Sequence, residues 1–210
     1  MIRILIADDH TLVREGLKQI LSDLPDMAVS DEARNGKEVL DKVRESDFDV
    51  ILLDISMPGQ SGLDILKQIK LLKPKLPVLI LSMYPEEQYA LRTLSAGAAG
   101  YLTKNSIPDE LIEALRTVSL GKKYITLSLA EKLAFDLDVN AKKLPHERLS
   151  DREYQVMCMI ASGKTVSQIA REISLSVKTI STHRAHILKK MKMKNNAELT
   201  HYAIKHGLVD

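Results

Sequence analysis

Cysteine is nearly absent from this chain of 210 residues, and long apolar segments are missing. The one cysteine, Cys158, has no second cysteine with which to form an internal disulfide, which fits a reducing compartment. The longest apolar runs are far too short to cross a bilayer. The N-terminal stretch reaches two acids, Asp8 and Asp9, too early for a secretory signal. The sequence therefore predicts a cytoplasmic protein that does not enter a membrane.

Charge is unevenly distributed along the chain. Residues 1–119 contain 14 Lys and Arg against 19 Asp and Glu, a net charge of −5, whereas residues 120–210 contain 16 against 9, a net charge of +7. This asymmetry predicts an acidic module joined to one that meets a polyanion. Two ordinary solvated surfaces of unequal charge would give the same counts. Charge alone therefore does not distinguish them from a module that binds a polyanion, and the motifs are needed to do so.

The first 120 residues alternate short apolar runs with amphipathic stretches. Leu12, Leu17, Ile20, Leu21 and Leu24 are assigned to the apolar face of the first helix. Five strand–helix units joined by short connections predict a parallel sheet with helices on both faces. The predicted strands are 2–7, 27–33, 50–54, 77–82 and 99–103, and the predicted helices are 11–24, 36–46, 62–73, 86–97 and 106–118.

Polar side chains end several of these strands, at the edge where such sheets bind ligands. Asp8 and Asp9 follow the first strand, Asp54 ends the third, Ser82 ends the fourth, and Lys104 follows the fifth. Three carboxylates at one edge repel one another unless a cation compensates. Oxygen ligands without a Cys or His cluster indicate a hard divalent ion, Mg²⁺.

Carboxylates, Mg²⁺, a lysine and a hydroxyl together suit phosphoryl transfer, in which a carboxylate can form an aspartyl-phosphate. Each residue also has an ordinary structural interpretation. The acid pair could cap the helix that starts near Thr11, Ser82 could be a turn residue, and Lys104 could be a solvated strand end. Their combination on one edge favours phosphoryl chemistry.

The motifs "ADDH", "LLDISMPG", "LILSMY" and "GYLTK" make this part of the chain resemble the receiver domain of two-component response regulators. The resemblance implies a flavodoxin-like, five-stranded doubly wound sheet of strand order 2-1-3-4-5. It also implies site roles: Asp54 as phosphoacceptor; Asp8, Asp9, Asp54 and the Ser56 backbone carbonyl as Mg²⁺ ligands; Ser82 and Lys104 as phosphoryl contacts; and Tyr101 as the switch aromatic. Asn105 departs from the pattern, because many receivers have proline after the lysine.

Residues 121–147 are predicted to be a linker between domains 1–120 and 148–210. The linker contains a short helix at 126–137, and a polar stretch with Pro145 follows it.

The last 63 residues read as four helices. Two capping boxes open the first and second, and a serine caps the third, which spans 177–191; the fourth runs from about 197 to 205. A short helix, a tight turn and a longer helix indicate a helix-turn-helix. The capping residues are Ser150 with Glu153, Thr165 with Gln168, and Ser176.

The third of these helices has one mostly apolar side, with Arg184 as the exception, and one side that is small, hydroxylic or basic. Residues 163–210 contain nine Lys and Arg against three Asp and Glu, which favours DNA over an ordinary solvated face. The motifs "LSDRE", "IAREISLSVKTISTH" and "AIKHGLV" resemble the LuxR-type helix-turn-helix of NarL/FixJ regulators. That resemblance implies base contacts from Ser181, Thr182 and Ala185, and phosphate contacts from Lys178, Thr179 and Lys189.

A response regulator transcription factor is the function that these features predict. Its partners would be a sensor histidine kinase, double-stranded promoter DNA and a second copy of the chain after phosphorylation. Two alternatives stay open: a phosphatase of the haloacid-dehalogenase type, and a DNA-binding regulator whose receiver is not phosphorylated. The phosphatase needs a second acid two residues after its nucleophile, where this chain has Ser56, so turnover of an external substrate is not expected.

Overall fold

The computed structural model describes residues 1–57, 59–106, 108–131 and 144–209. Contacts divide the chain into two compact units, Met1–Ala130 and Glu131–Asp210. In the described ranges, no helix combines the length and the apolar character that a bilayer span requires. The first unit contains β1 (Ile2–Ala7), α1 (Thr11–Ser22), β2 (Met27–Ala33), α2 (Gly36–Glu45), β3 (Val50–Leu53), α3 (Gly62–Leu72), β4 (Val78–Ser82), α4 (Glu86–Ser95), β5 (Gly100–Thr103) and α5 (Pro108–Ser119).

The five strands form one parallel sheet of order β2-β1-β3-β4-β5, which confirms the predicted doubly wound fold. All four residues of β3 are buried, as expected for a central strand covered by helices on both faces. Leu52 and Leu79 from the sheet belong to one core cluster with Leu115 of α5. Because every strand is parallel, all five carboxyl ends lie at one edge.

The apolar face of α1 differs from the prediction at its first turn. Leu12 is 88% exposed, whereas Leu17 and Leu21 are buried. Leu12 precedes Leu17 by five residues, and at roughly 100° per residue the two side chains point about 140° apart around the helix axis. Leu12 therefore cannot lie on the face that Leu17 and Leu21 bury. Arg14 takes the buried position instead, with Nε 2.9 Å from Glu32 Oε2.

Over its described residues 144–209, the second unit contains a 3-10 turn, Pro145–Arg148, and four helices: α6 (Asp151–Ala161), α7 (Val166–Glu172), α8 (Val177–Met191) and α9 (Asn196–Lys205). Both predicted capping boxes are present, and the Ser176 side chain accepts from the Thr179 N–H. Short helices joined by tight turns confirm the helical second domain. Arg184, the exception on the apolar side of α8, donates to Asn196 Oδ1 at 2.6 Å.

The described residues of the predicted linker are 121–131 and 144–147. The first of these segments begins against the rest of the first unit. The Tyr124 N–H donates to the Ala99 carbonyl at 2.8 Å, and Thr126 Oγ1 donates to both carboxylate oxygens of Glu86 at 2.7 and 2.8 Å. Residues 127–131 are helical, and the rest of the helix predicted at 126–137 lies outside the described residues.

Candidate phosphoacceptor site and nucleic-acid interface

Four side chains converge at the carboxyl edge of the sheet. The ligand atoms of Asp8, Asp9, His10 and Asp54 all lie within 4.8 Å of one another. Lys104 reaches the same place from the end of β5, with Nζ 2.6 Å from Asp8 Oδ2 and 2.6 Å from Asp54 Oδ2. The adjacency of β1 and β3 brings the acids together, because the Asp54 N–H donates to the Ala7 carbonyl at 2.8 Å.

The Asp54 carboxylate is almost completely buried, at 1% exposure. Its Oδ1 accepts from the Ser56 backbone N–H at 2.8 Å, and its Oδ2 accepts from Lys104 Nζ. Burial raises the pKa of Asp54, and the Asp8 charge adds to this effect, while Lys104 and the Ser56 N–H act in the opposite direction. The ionised carboxylate is therefore not fully compensated by protein groups.

Asp8 and Asp9 do not act as side-chain caps of α1. His10 is the N-cap residue and makes no side-chain cap hydrogen bond. Asp8 Oδ1 accepts from the His10 N–H at 2.8 Å, and the Asp8 carbonyl accepts from Arg14 Nη1 at 2.8 Å. The buried Arg14 therefore fixes the backbone from which the acids project.

A divalent cation fits this cluster of acids. Asp9 Oδ1 is buried and has no hydrogen bond within the described part of the chain, although His10 Nδ1 lies 3.0 Å away. The cluster holds three carboxylates, and the one ammonium among the described residues that contacts it, Lys104, pairs with Asp8 and Asp54, so the acids carry excess negative charge. Mg²⁺ prefers such oxygen donors. The role of the Ser56 carbonyl stays a prediction, since the contact of that residue with Asp54 is through its N–H.

A hydrogen-bond chain connects the predicted switch residues. Ser82 is fully buried, and its Oγ accepts from the Tyr84 N–H at 3.2 Å. The hydroxyl of Tyr101, which is 1% exposed, donates to the Tyr84 carbonyl at 2.8 Å. Burial raises the pKa of Tyr101, which therefore stays a neutral donor. Tyr84 thus joins the hydroxyl at the end of β4 to the aromatic ring of β5.

Sequence patterns missed three residues of this site: His10, Arg14 and Tyr84. His10 stands within the quoted "ADDH", but its ring approaches the acids only because the chain turns into α1 there. Arg14 sits on an otherwise apolar helix face, and that irregularity is a usable signal. Tyr84 acts through its backbone, for which a side-chain pattern contains no signal.

The exposed side of α8 presents the residues predicted to contact DNA. Ile180, Ile187 and Met191 are buried against the second unit. Thr179 is only partly exposed, and its Oγ1 lies 2.7 Å from Ser176 Oγ, so its hydroxyl already belongs to the helix cap. The other predicted contacts are exposed together: Lys178, Ser181, Thr182, Ala185 and Lys189.

Comparisons with known proteins match both units. The family described as "Response regulator receiver domain" matches residues 4–116, and "Bacterial regulatory proteins, luxR family" matches residues 147–203. The chain is 36% identical over 209 residues to "Response regulator UvrY" of Escherichia coli K12, covering 99% of this chain and 96% of that protein. It is 38% identical over 210 residues to "Response regulator GacA" of Pseudomonas protegens, covering 100% and 99%.

Solved structures of the RcsB response regulator share the fold. One from Salmonella typhimurium has a TM-score of 0.62 and 28% identity, over 96% of this chain and 98% of that one. Another, of two RcsB dimers bound to two parallel DNAs, has a TM-score of 0.59 and 28% identity, over 96% of each chain. These matches, together with the acid–lysine site and the helix-turn-helix, favour a regulator over the phosphatase alternative. The chain belongs to the response regulators in which a receiver domain is followed by a regulatory domain of the luxR family.

Proposed function

We propose that Asp54 accepts a phosphoryl group from a sensor histidine kinase and that this modification controls promoter binding by the second unit. The observation that carries the proposal is the convergence of two carboxylates, Asp8 and Asp9, and of Lys104 around the buried Asp54 at the carboxyl edge of the sheet. We also propose the working boundaries 1–120 for the receiver, 121–147 for the linker and 148–210 for the DNA-binding domain.

Asp8, Asp9 and Asp54 are the residues that would hold Mg²⁺, with the Ser56 carbonyl as a further ligand. When bound, the ion supplies charge neutralisation for the phosphoryl oxygens. The buried Asp9 Oδ1, which accepts no hydrogen bond from the described residues, and the incompletely compensated Asp54 carboxylate support this assignment.

Asp54 is the nucleophile of the proposed transfer. One of its carboxylate oxygens bonds to phosphorus while the P–N bond of the kinase phosphohistidine breaks and the imidazole leaves. The Ser56 N–H orients the carboxylate through Oδ1. Lys104, which now bridges Asp8 and Asp54, is positioned to pair with a new phosphoryl oxygen.

Ser82 would supply the switch by donating its hydroxyl to the phosphoryl group. That movement would disturb its hydrogen bond with the Tyr84 N–H, and Tyr84 in turn holds the Tyr101 hydroxyl. The surface formed by α4, β5 and α5 would change as a result. A bias of about 2.7 kcal/mol would change the ratio of two conformational states about a hundredfold.

The exposed face of α8 is the proposed reading surface for DNA. Its hydroxyl and small side chains would allow close approach to a major groove, and the exposed Lys178 and Lys189 would pair with the phosphates beside it. Two RcsB dimers bind DNA in a structure that this chain resembles at 28% identity. We therefore propose that phosphorylated dimers bind two half-sites. Since its target is chromosomal DNA, we propose a cytoplasmic location.

The decisive experiment compares Asp54→Asn with Asp23→Asn, a matched change at the C-cap of α1. Each full-length variant is treated with phosphoramidate and Mg²⁺, separated on phosphate-affinity gels, and tested for binding to genomic promoter fragments. We expect Asp23→Asn to behave like wild type and Asp54→Asn to take up no phosphate and gain no DNA affinity. Full phosphate uptake by Asp54→Asn would refute the assignment.

A further inference from the structure

A second concave site lies at the edge of the sheet opposite Asp54. This cavity of about 370 Å³ adjoins Pro77 and Ala99, which directly precede β4 and β5. Four lysines line it, and we name it the lysine cavity: Lys70 from α3, Lys75 from the loop before β4, and Lys122 and Lys123 after α5. No carboxylate of the described residues lines it.

Backbone carbonyls hold two of these lysines in place. Lys70 Nζ donates to the Leu76 carbonyl at 2.6 Å, and Lys123 Nζ donates to the Ala98 carbonyl. The position of Lys123 is fixed further by its neighbour Tyr124, which pairs with Gly100 of β5. The two ammonium groups are therefore held in fixed positions by backbone carbonyls of the first unit.

The anchored lysines are electrostatically unbalanced. Burial lowers the pKa of Lys70, and the charge of Lys123 lowers it further; burial also lowers the pKa of Lys123. Lys18, by contrast, is held by carboxylates of Glu15 and Glu32 that raise its pKa. Lysine ammoniums that repel one another without a neighbouring acid are stabilised when an anion lies between them.

We propose that the lysine cavity binds a small phosphorylated anion with several negative charges, of which pyrophosphate is the simplest representative. The volume is within the range of about 300–1,000 Å³ typical of small-molecule pockets. Four ammoniums match a multiply charged phosphate, for which lysine is a common point-charge ligand. A cavity of this size fits a small molecule rather than a nucleic-acid duplex.

Such an anion would join three separate parts of the first unit. It would bridge α3 through Lys70, the loop before β4 through Lys75, and the start of the linker through Lys122 and Lys123. Binding would thus stabilise the attachment of the linker to the receiver. The site is independent of phosphoryl transfer at Asp54, because it lies at the other end of the strands.

Isothermal titration of the full chain with pyrophosphate tests this inference, in EDTA so that no metal enters the acid cluster, and at matched ionic strength. We expect one pyrophosphate per chain, with sulfate binding more weakly. The double variant Lys70→Gln/Lys123→Gln should bind at least tenfold more weakly, whereas Lys70→Arg/Lys123→Arg, which keeps both charges, should retain binding. Titration with adenosine diphosphate separates recognition of the phosphates alone from recognition of an attached base.

Lys164→Gln/Lys205→Gln is the matched control, because it removes the same charge from the second unit. It should bind pyrophosphate like wild type. Wild-type protein that binds no pyrophosphate would overturn the proposal. So would equal weakening by the two glutamine pairs, which would indicate attraction by net charge alone.

Discussion

Arg14 provides a sharp test of how the acid site is held, because it is the buried cation beneath Asp8. Its side chain is 2% exposed, donates to the Asp8 carbonyl at 2.8 Å and pairs with Glu32 at 2.9 Å. Arg14→Ala leaves that carbonyl without its donor. A hydrogen bond from a charged group contributes about 1.5–3 kcal/mol, and the lost packing of the aliphatic stem adds roughly 1 kcal/mol.

The expected loss for Arg14→Ala is therefore about 3 kcal/mol in the free energy of unfolding of the first unit. Loss of the ion pair with Glu32 adds little, because Glu32 keeps its contact with Lys18. Arg44→Ala is the control. Arg44 pairs with Asp41 on the surface, with side chains 54% and 45% exposed, and such pairs contribute about 0–1 kcal/mol.

Urea unfolding followed by circular dichroism measures both variants of the full chain. The Mg²⁺ affinity of Arg14→Ala should also fall, because the backbone that carries Asp8 and Asp9 loses its support. Equal stability losses in Arg14→Ala and Arg44→Ala, with unchanged Mg²⁺ affinity, would refute the reasoning.

Three further predictions concern the switch and the second unit. Lys178→Ala and Lys189→Ala should each weaken binding to all DNA sequences and reduce the slope of log affinity against log salt by about one, measured by fluorescence anisotropy. Tyr101→Phe should cost about 1 kcal/mol in urea unfolding, because the Tyr84 carbonyl loses the hydroxyl that donates to it, and should reduce the gain in DNA affinity on phosphorylation. Burial alone would raise the pKa of Glu153, but hydrogen bonds from Lys190 and Ser150 lower it below its ordinary value. The stabilisation from Glu153 is therefore present above the unfolded-state pKa and is lost as the pH falls through the folded-state pKa. Glu153→Gln should cost about 1 kcal/mol at pH 7 and flatten this dependence in acid unfolding.

Local signals predicted the helices of the second unit closely, because their determinants are adjacent in sequence. Ser150 and Glu153 form the capping box expected from their spacing, and Ser176 caps α8 at the predicted residue. Parallel pairing was also predictable, since alternation of strands and helices allows few other arrangements.

Long-range contacts explain part of what was not predicted, and the local geometry of α1 explains the rest. Leu12 is apolar, but the turn of α1 directs it to solvent, and the partner that allows Arg14 to be buried is Glu32, on a different strand. Thr126 reaches Glu86 across 40 residues, so composition alone could not indicate that the predicted linker begins against α4. His10 lies near the acids because the chain turns into α1 there, and a pattern of oxygen ligands alone does not include histidine.

The most direct test of the central claim is to locate the phosphoryl group chemically. Wild-type protein phosphorylated with phosphoramidate and Mg²⁺ is reduced with borohydride, which converts an aspartyl-phosphate to homoserine, and the peptides are sequenced by mass spectrometry. We predict homoserine at position 54. Homoserine at position 8 or 9 instead, or phosphate stable to borohydride on a hydroxyl, would contradict the account.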